Sequence, residues 1–360
     1  MTRKRLEELR TKMKEKDREI IGLLNERSQI SLEIGKAKGE DGIDVYDPAQ
    51  EARVHGYLQE LNQGPLPGKS VTSIFREIIS ASRNLQRMTT VAFLGPEASF
   101  SHLAARMHFG ETSRFFPQTG IARVFDEVEK EAIDWGVVPV ENSLEGSVNI
   151  TLDRLITSPL KIRAEIYLRI SQCLISSAEN IADIKKIYSH PHALAQCQVW
   201  LKTNLPNCVL AEADSTAAAA QMVRDKKDDA AIGSALAAHI YGLNILSEGI
   251  EDNSSNMTRF LVIGRGESEP TGDDKTSLIF ATPDSPGALH RALDSFASRN
   301  INLAKIESHP VKERLWEYLF FVDMLGHVND EHSRACLNEL KEKTTLLRIL
   351  GSYPKAQGRL

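Results

Sequence analysis

Apolar positions in the first 90 residues recur with the period of a helix. Leu6, Met13, Ile20 and Ile34 fall at heptad spacing, flanked by Leu9, Leu23, Leu24 and Ile30, which predicts one long helix over residues 1–40. Gly39 and Asp41-Gly42 break it. Asp47-Pro48 then joins a capping side chain to a proline suited to the first helical position, so a second helix is expected to about Leu61. The run Gly64-Pro65-Leu66-Pro67-Gly68 stops that helix. A third is predicted from Ser70 to Arg87, with Val71, Ile74, Phe75, Ile78, Ile79 and Leu85 on its apolar side. Residues 1–90 therefore read as an all-α module of three helices.

The pattern changes at Thr89-Thr90. VAFLG, WGVVPV and RFLVIG read as buried strands separated by helical stretches, which predicts an α/β domain over residues 91–267. ESEPTGDDK is polar, rich in breakers and reads as a linker. Residues 275–354 give strand (TSLIFATP), helix (ALHRALDSFASRN), strand (NLAKIESH), strand (WEYLFFVDML), helix (DEHSRACLNELKEK) and strand (LLRILGSYP). That βαββαβ order predicts a small α+β, ferredoxin-like unit with helices on one sheet face.

Composition narrows the function classes. The chain has 360 residues, 41% hydrophobic and 26% charged, the balance of a globular protein with two or three domains. A net charge of −5 argues against nucleic-acid binding. No apolar run approaches the ~20 residues that span a bilayer, and the charged start MTRKRLEELRTKMKEK does not resemble a signal peptide. Cys173, Cys197, Cys208 and Cys336 lack CxxC spacing, so reduced thiols and a cytoplasmic location are expected. His190 and His192 bracket a proline without a further ligand nearby, and neither a metal nor an organic cofactor is expected.

The first helix carries charges where its pattern calls for apolar groups. Arg27 occupies the heptad row, and Arg10, Ser31 and Lys38 lie in the same inward band. One such side chain can snorkel to solvent, but several unpaired cations on a buried band are costly. They are candidates for an anion receptor. Arg27 and Lys38 are eleven residues apart, roughly 16 Å, close enough for long side chains to converge on one ligand. Arg10 lies seventeen residues from Arg27, roughly 25 Å, too far for the same small molecule. It is expected to serve a second site in a dimer with antiparallel long helices. Asp47 with Glu51, and Ser82 with Gln86, form i,i+4 pairs on the other two helices.

LRTKMKEKDREIIGLLNERSQISLEIGKAK, VYDPAQE and IFREIISASRNLQR together resemble the all-helical class of chorismate mutase, whose first helix is shared between two protomers. The resemblance implies that Arg27, Lys38 and Arg10 of the partner subunit grip the two carboxylates and the ether oxygen. It also implies that Asp47 and Glu51 approach the ring hydroxyl and that Ser82 and Gln86 complete the pocket. Gln50 departs from the arginine that relatives often carry. The rearrangement of a dianion needs positioning and donors at the ether oxygen rather than a nucleophile. Lys38 and Gln86 are the expected donors, and Glu51 acts there only if protonated or aimed at the hydroxyl.

GPEASFS, PVENSLEGSVN, YSHPHALAQC, AAIGSALAAHIYGL and DNSSNMTRFLVIG occur in the order and spacing of prephenate dehydratases, over nearly all of residues 91–266. The resemblance implies a two-lobed fold similar to periplasmic ligand-binding proteins, with substrate in the cleft. Asn142, Ser189, Gln196 and Thr258 are then the active-site residues, Thr258 supplying the essential hydroxyl and Glu141 a candidate proton. His192 replaces a common glutamine. The C-terminal order and SPGALHRAL resemble the ACT domain, a dimerising amino-acid sensor. Gly287, Ala288, Leu289 and His290, with Glu307 and Ser308, are the implied phenylalanine site, and His309 replaces a usual arginine. Taken together, the chain resembles bifunctional chorismate mutase–prephenate dehydratases, inhibited by phenylalanine and at least dimeric. An arogenate dehydratase and a non-catalytic amino-acid sensor are the rival readings.

Overall fold

A computed structural model describes residues 2–310 and 318–356. The chain divides into two compact units, residues 1–89 with 109–114, and the remainder. The first unit holds α1 (Thr2–Glu40), α2 (Pro48–Leu61) and α3 (Gly68–Gln86). Asp47 caps α2 as the sequence predicts, its carboxylate accepting from Gln50 N at 3.0 Å with Pro48 beginning the helix. Segment 109–114 was not expected in this unit. It belongs there because Arg83, buried on α3, donates to Phe109 O at 2.6 Å and lies over the Tyr46 and Phe109 rings. The N-terminal half of α1 stays open: Leu6, Leu9, Met13, Ile20, Ile21 and Leu23 are all exposed.

The second unit begins with an α/β lobe of β1 (Thr90–Leu94), α4 (Phe100–Phe109), β2 (Arg114–Gln118), α5 (Ile121–Glu129), β3 (Trp135–Asn142), β4 (Gly146–Ser147), α6 (Asn149–Thr157) and β5 (Lys161–Arg169). A second lobe follows with β6 (Cys173–Ser176), β7 (Lys186–Ser189), α7 (Pro191–Gln196), α8 (Gln198–Asn204), β8 (Val209–Glu212), α9 (Thr216–Met222), β9 (Asp229–Gly233), α10 (Ala235–Tyr241) and β10 (Asn244–Glu248). The chain then returns to the first lobe through β11 (Met257–Gly264). The sheet orders are β2-β1-β3-β11-β5, with β4 on β3, and β10-β6-β9-β7-β8. Local signals set several helix ends here. Ser215 and Ser234 cap α9 and α10, and Gly242 ends α10 in the left-handed region at φ 67°.

Residues from 274 onward form β12 (Asp274–Ala281), α11 (Ala288–Ala297), β13 (Leu303–Pro310), β14 (Tyr318–Leu325), α12 (Glu331–Lys343) and β15 (Leu346–Pro354), the predicted βαββαβ order. The Trp316–Glu317 start of the predicted third strand lies outside the described residues. The sheet order is β13-β14-β12-β15, all antiparallel. One face packs on the helices through Leu278, Phe280, Val322 and Met324. The other face is covered too: Ile279, Phe321, Leu350 and Tyr353 share a core with Val138, Val140, Leu152 and Leu261 of the first lobe.

Close approach of β15 to β5 depends on a glycine. A Cβ on Gly351 would meet the Ile162 carbonyl oxygen at 2.2 Å and its nitrogen at 2.9 Å. Gly351→Ala is expected to separate these strands and destabilise the second unit by about 1–3 kcal/mol. Calorimetric unfolding checks this, and an unchanged transition temperature refutes the contact.

Candidate functional site

In the helical unit, α1 and α3 bring most of the expected receptor together. Arg27 Nη1 donates to Ser82 Oγ at 2.7 Å, and Gln86 Nε2 donates to Ser31 Oγ at 2.6 Å. Gly35 makes room for Gln86, because a Cβ there would lie 2.6 Å from Gln86 Cγ. Lys38 donates to the carbonyls of Asp44 and Val45, both at 3.1 Å, which ties the end of α1 to the turn before α2. Glu51 Oε1 accepts from Arg83 Nη1 at 2.6 Å. Burial pushes the Glu51 carboxyl above its usual range, with the Arg83 charge pulling the other way. Asp47 spends Oδ1 on the α2 cap. Arg10 is exposed on the open half of α1 and does not join this cluster in a single copy.

The second site lies on β3 and β11. These strands pair antiparallel with Thr258 opposite Asn142 and Arg259 opposite Glu141. Asn142 Nδ2 donates to Thr258 Oγ1 at 2.8 Å and to Asn256 Oδ1 at 2.9 Å, while Asn142 Oδ1 accepts from Leu144 N and Glu145 N. Asn256 Nδ2 donates in turn to Gln196 Oε1 at 3.3 Å, so α7 of the second lobe is tied to the same group. Because Thr258 Oγ1 accepts from Asn142, its own proton is free to be donated. Ser189, at the end of β7, is fully buried and donates to Ile232 O at 2.8 Å. His192 reaches from α7 to Glu145, 2.8 Å away on the first lobe.

Successive strand residues face opposite ways, so Glu141 and Arg259 serve a different environment from Asn142 and Thr258. Glu141 pairs with Lys305 of β13 at 3.0 Å, so it is engaged with the C-terminal sheet on the opposite strand face from the Asn142–Thr258 pair, against its expected role as proton source. Arg259 is buried and donates to Glu165 at 2.9 Å, Asp323 at 2.5 Å and Tyr353 OH at 3.0 Å. Burial acts to raise the Asp323 carboxyl, but the Arg259 charge, the hydrogen bonds from Ser277 and Arg259 and the Lys275 charge together outweigh it and hold that group below its usual range.

Of the expected effector residues, Gly287 adopts φ 76° and begins α11, Ala288 is buried, and Leu289 packs on the C-terminal core. His290 and Ser308 are exposed. Glu307 Oε2 accepts from Ser147 Oγ at 2.5 Å and lies 2.9 Å from Lys305 Nζ. His309 is buried and pairs with Asp153 at 2.8 Å.

Two residues escaped the sequence reading. Arg83 had a signal: it follows Ile79 by four positions and so interrupts the apolar side of α3, as Ser82 and Gln86 do. Asn256 stands inside DNSSNMTRFLVIG two positions before Thr258, the spacing that puts strand residues on one face.

Comparison with known proteins assigns the domains in which the two clusters lie. Family models match chorismate mutase type II over residues 9–87, prephenate dehydratase over 91–268 and the ACT domain over 276–342. The bifunctional chorismate mutase/prephenate dehydratase of Aquifex aeolicus is 44% identical over 355 residues, covering 98% of each chain. That of Stutzerimonas stutzeri is 41% identical over 358 residues, again covering 98% of each. Among solved structures, the prephenate dehydratase of Arthrobacter aurescens in complex with L-Phe is 37% identical, with TM-score 0.68 over 74% of this chain and 90% of that one. The chain belongs to the bifunctional chorismate mutase/prephenate dehydratase family.

Proposed function

We propose that the helical unit rearranges chorismate to prephenate through Arg27, Lys38, Asp47, Glu51, Ser82 and Gln86, and that Thr258 leads the conversion of prephenate to phenylpyruvate. The hydrogen-bonded Asn142–Thr258 pair on adjacent strands carries the second assignment.

In the first reaction the chain fixes the substrate's flexible arm over its ring and stabilises charge at the ether oxygen. Arg27 and Lys38 hold the carboxylates. A half-turn of the Gln86 amide lets Ser31 donate to Oε1, an atom buried without a partner, and turns the NH2 toward the ether oxygen. The raised Glu51 carboxyl keeps its proton to higher pH than an ordinary carboxylate, which suits a dianionic substrate. Mutase kcat/KM is therefore expected to fall as pH rises through the Glu51 ionisation. Glu51→Gln should flatten that limb, and an identical pH profile in the variant removes Glu51 from this role.

In the second reaction the bond from the ring to its carboxylate breaks, and its electron pair completes the aromatic ring. The ring hydroxyl takes up a proton from solvent and departs as water, and carbon dioxide leaves. Thr258 donates a hydrogen bond to the departing oxygen while Asn142 holds the threonine oxygen. Gln196, bonded to Asn256, serves the second-lobe side, while the fully buried Ser189 keeps its hydroxyl on Ile232 O.

Phenylalanine is the proposed effector, at the C-terminal residues Gly287–His290, Glu307 and Ser308. The relative's complex with L-Phe supports this reading. We also infer a homodimer. The exposed apolar row on α1 is suited to a second copy of the same helix, and antiparallel pairing delivers Arg10 of the partner subunit to the pocket. A cytoplasmic location is supported by four free cysteines, with burial pushing the Cys197 thiol up to about 12 and Cys173 up to about 11. Feeding chorismate to the purified protein, with and without phenylalanine, and following prephenate and phenylpyruvate tests the scheme. Absence of phenylpyruvate from added prephenate revives the non-catalytic sensor, and faster turnover of arogenate than of prephenate favours the related dehydratase.

A further inference from the structure

We propose that Lys305, a residue of the C-terminal sheet, is a positioning residue for the dehydratase reaction and the link through which the effector motif acts on it. This rests on the reading above that Asn142 and Thr258 form the dehydratase site.

Three alternate side chains of β13 meet the first lobe. Lys305 binds Glu141 on β3 at 3.0 Å, Glu307 accepts from Ser147 on β4 at 2.5 Å, and His309 pairs with Asp153 on α6 at 2.8 Å. They share one face because side chains repeat every second residue along a strand. The intervening Ala304, Ile306 and Ser308 are exposed. Among the described residues β13 is an edge strand, paired with β14, and its register shifts between Leu303 and Lys305. Such an irregularity re-aims the next side chain, and here that side chain is Lys305.

Lys305 stands between two carboxylates, with Glu141 at 3.0 Å on one side and Glu307 at 2.9 Å on the other. It also donates to Ser147 Oγ at 3.3 Å. Its side chain is 16% exposed, so these pairs are less screened than surface ion pairs. Glu141 immediately precedes Asn142, whose amide holds the Thr258 hydroxyl. Any ligand cation that draws Glu307 away from Lys305 and Ser147 changes the charge around Lys305 and thereby its hold on Glu141. A cavity of about 330 Å³ bordered by Glu141, Arg259, Tyr167, Lys275, Lys305 and Asp323 gives these side chains space to rearrange. The ammonium group of an amino acid is the fitting cation for Glu307.

The test uses the full-length protein with Lys305→Met and Lys305→Arg. For Lys305→Met, dehydratase kcat on prephenate should fall by about tenfold to a hundredfold with little change in KM, as for displaced catalytic groups. Mutase turnover should be unchanged. Phenylalanine should still bind by calorimetry yet no longer deepen the inhibition, and Lys305→Arg should restore both kcat and inhibition. Wild-type kcat with wild-type inhibition in Lys305→Met overturns the proposal. So does loss of phenylalanine binding in parallel with inhibition, or failure of Lys305→Arg to rescue. Thr258→Ala is measured beside them. If it retains dehydratase activity the underlying site reading fails, whereas an inactive Thr258→Ala with an unaltered Lys305→Met defeats the link alone.

Discussion

Thr258→Ala is expected to abolish phenylpyruvate formation while chorismate is still consumed at nearly the wild-type rate. The substitution removes one hydroxyl from a strand whose backbone pairing with β3 and β5 is independent of that side chain. Asn142 then loses an acceptor but keeps Asn256, so the local structure survives. What is lost is the donor aimed at the departing ring oxygen. Removing one such preorganised donor typically costs about 10²–10³-fold in kcat. Aromatisation supplies the driving force, so the barrier rather than the equilibrium should register the change. Phenylpyruvate absorbance from added prephenate measures one activity and loss of chorismate measures the other. A parallel decline of both would mean that the two reactions do not occupy separate sites.

Element order and most helix ends were legible because the signals are local. Asp47-Pro48 begins α2, and residues 346–354 form the strand that their apolar run predicts. The clustering of Arg27, Ser82 and Gln86 was legible for a related reason: each interrupts an apolar stripe, and a polar group on a buried stripe needs a partner. Alternation along a strand tells which residues share a face but not what that face meets. Lys275, Ser277 and Asp323 alternate with Leu278, Phe280, Val322 and Met324, which meet the helices, and alternation leaves their own partners undetermined. In the structure Lys275 holds Glu165, while Asp323 accepts from both Ser277 and Arg259. The same limit explains Glu141, which adjoins a cleft residue in sequence yet serves the opposite strand face. Arg83 was missed because its partners, Glu51 and Phe109, lie 32 and 26 positions away.

Arg27→Ala is expected to cripple the mutase and leave the dehydratase untouched. The guanidinium is half-buried beside Ser82, and among the described residues it spends one donor, at 2.7 Å on that hydroxyl. Its remaining donors suit a carboxylate, which an arginine fork binds in two-pronged fashion. Losing one member of a desolvated charge pair costs about 2–5 kcal/mol, a drop in kcat/KM on the order of 10²–10³-fold. Arg27→Lys should recover part of this, because the charge returns without the planar fork. Neither change touches the second unit, so phenylpyruvate from added prephenate should form at the wild-type rate, whereas phenylpyruvate from chorismate should slow with the mutase. That split between the two feeding experiments separates loss of a receptor group from general unfolding, which would depress both. Unchanged chorismate consumption in Arg27→Ala would mean that this cation serves the packing of α1 on α3 rather than an anion.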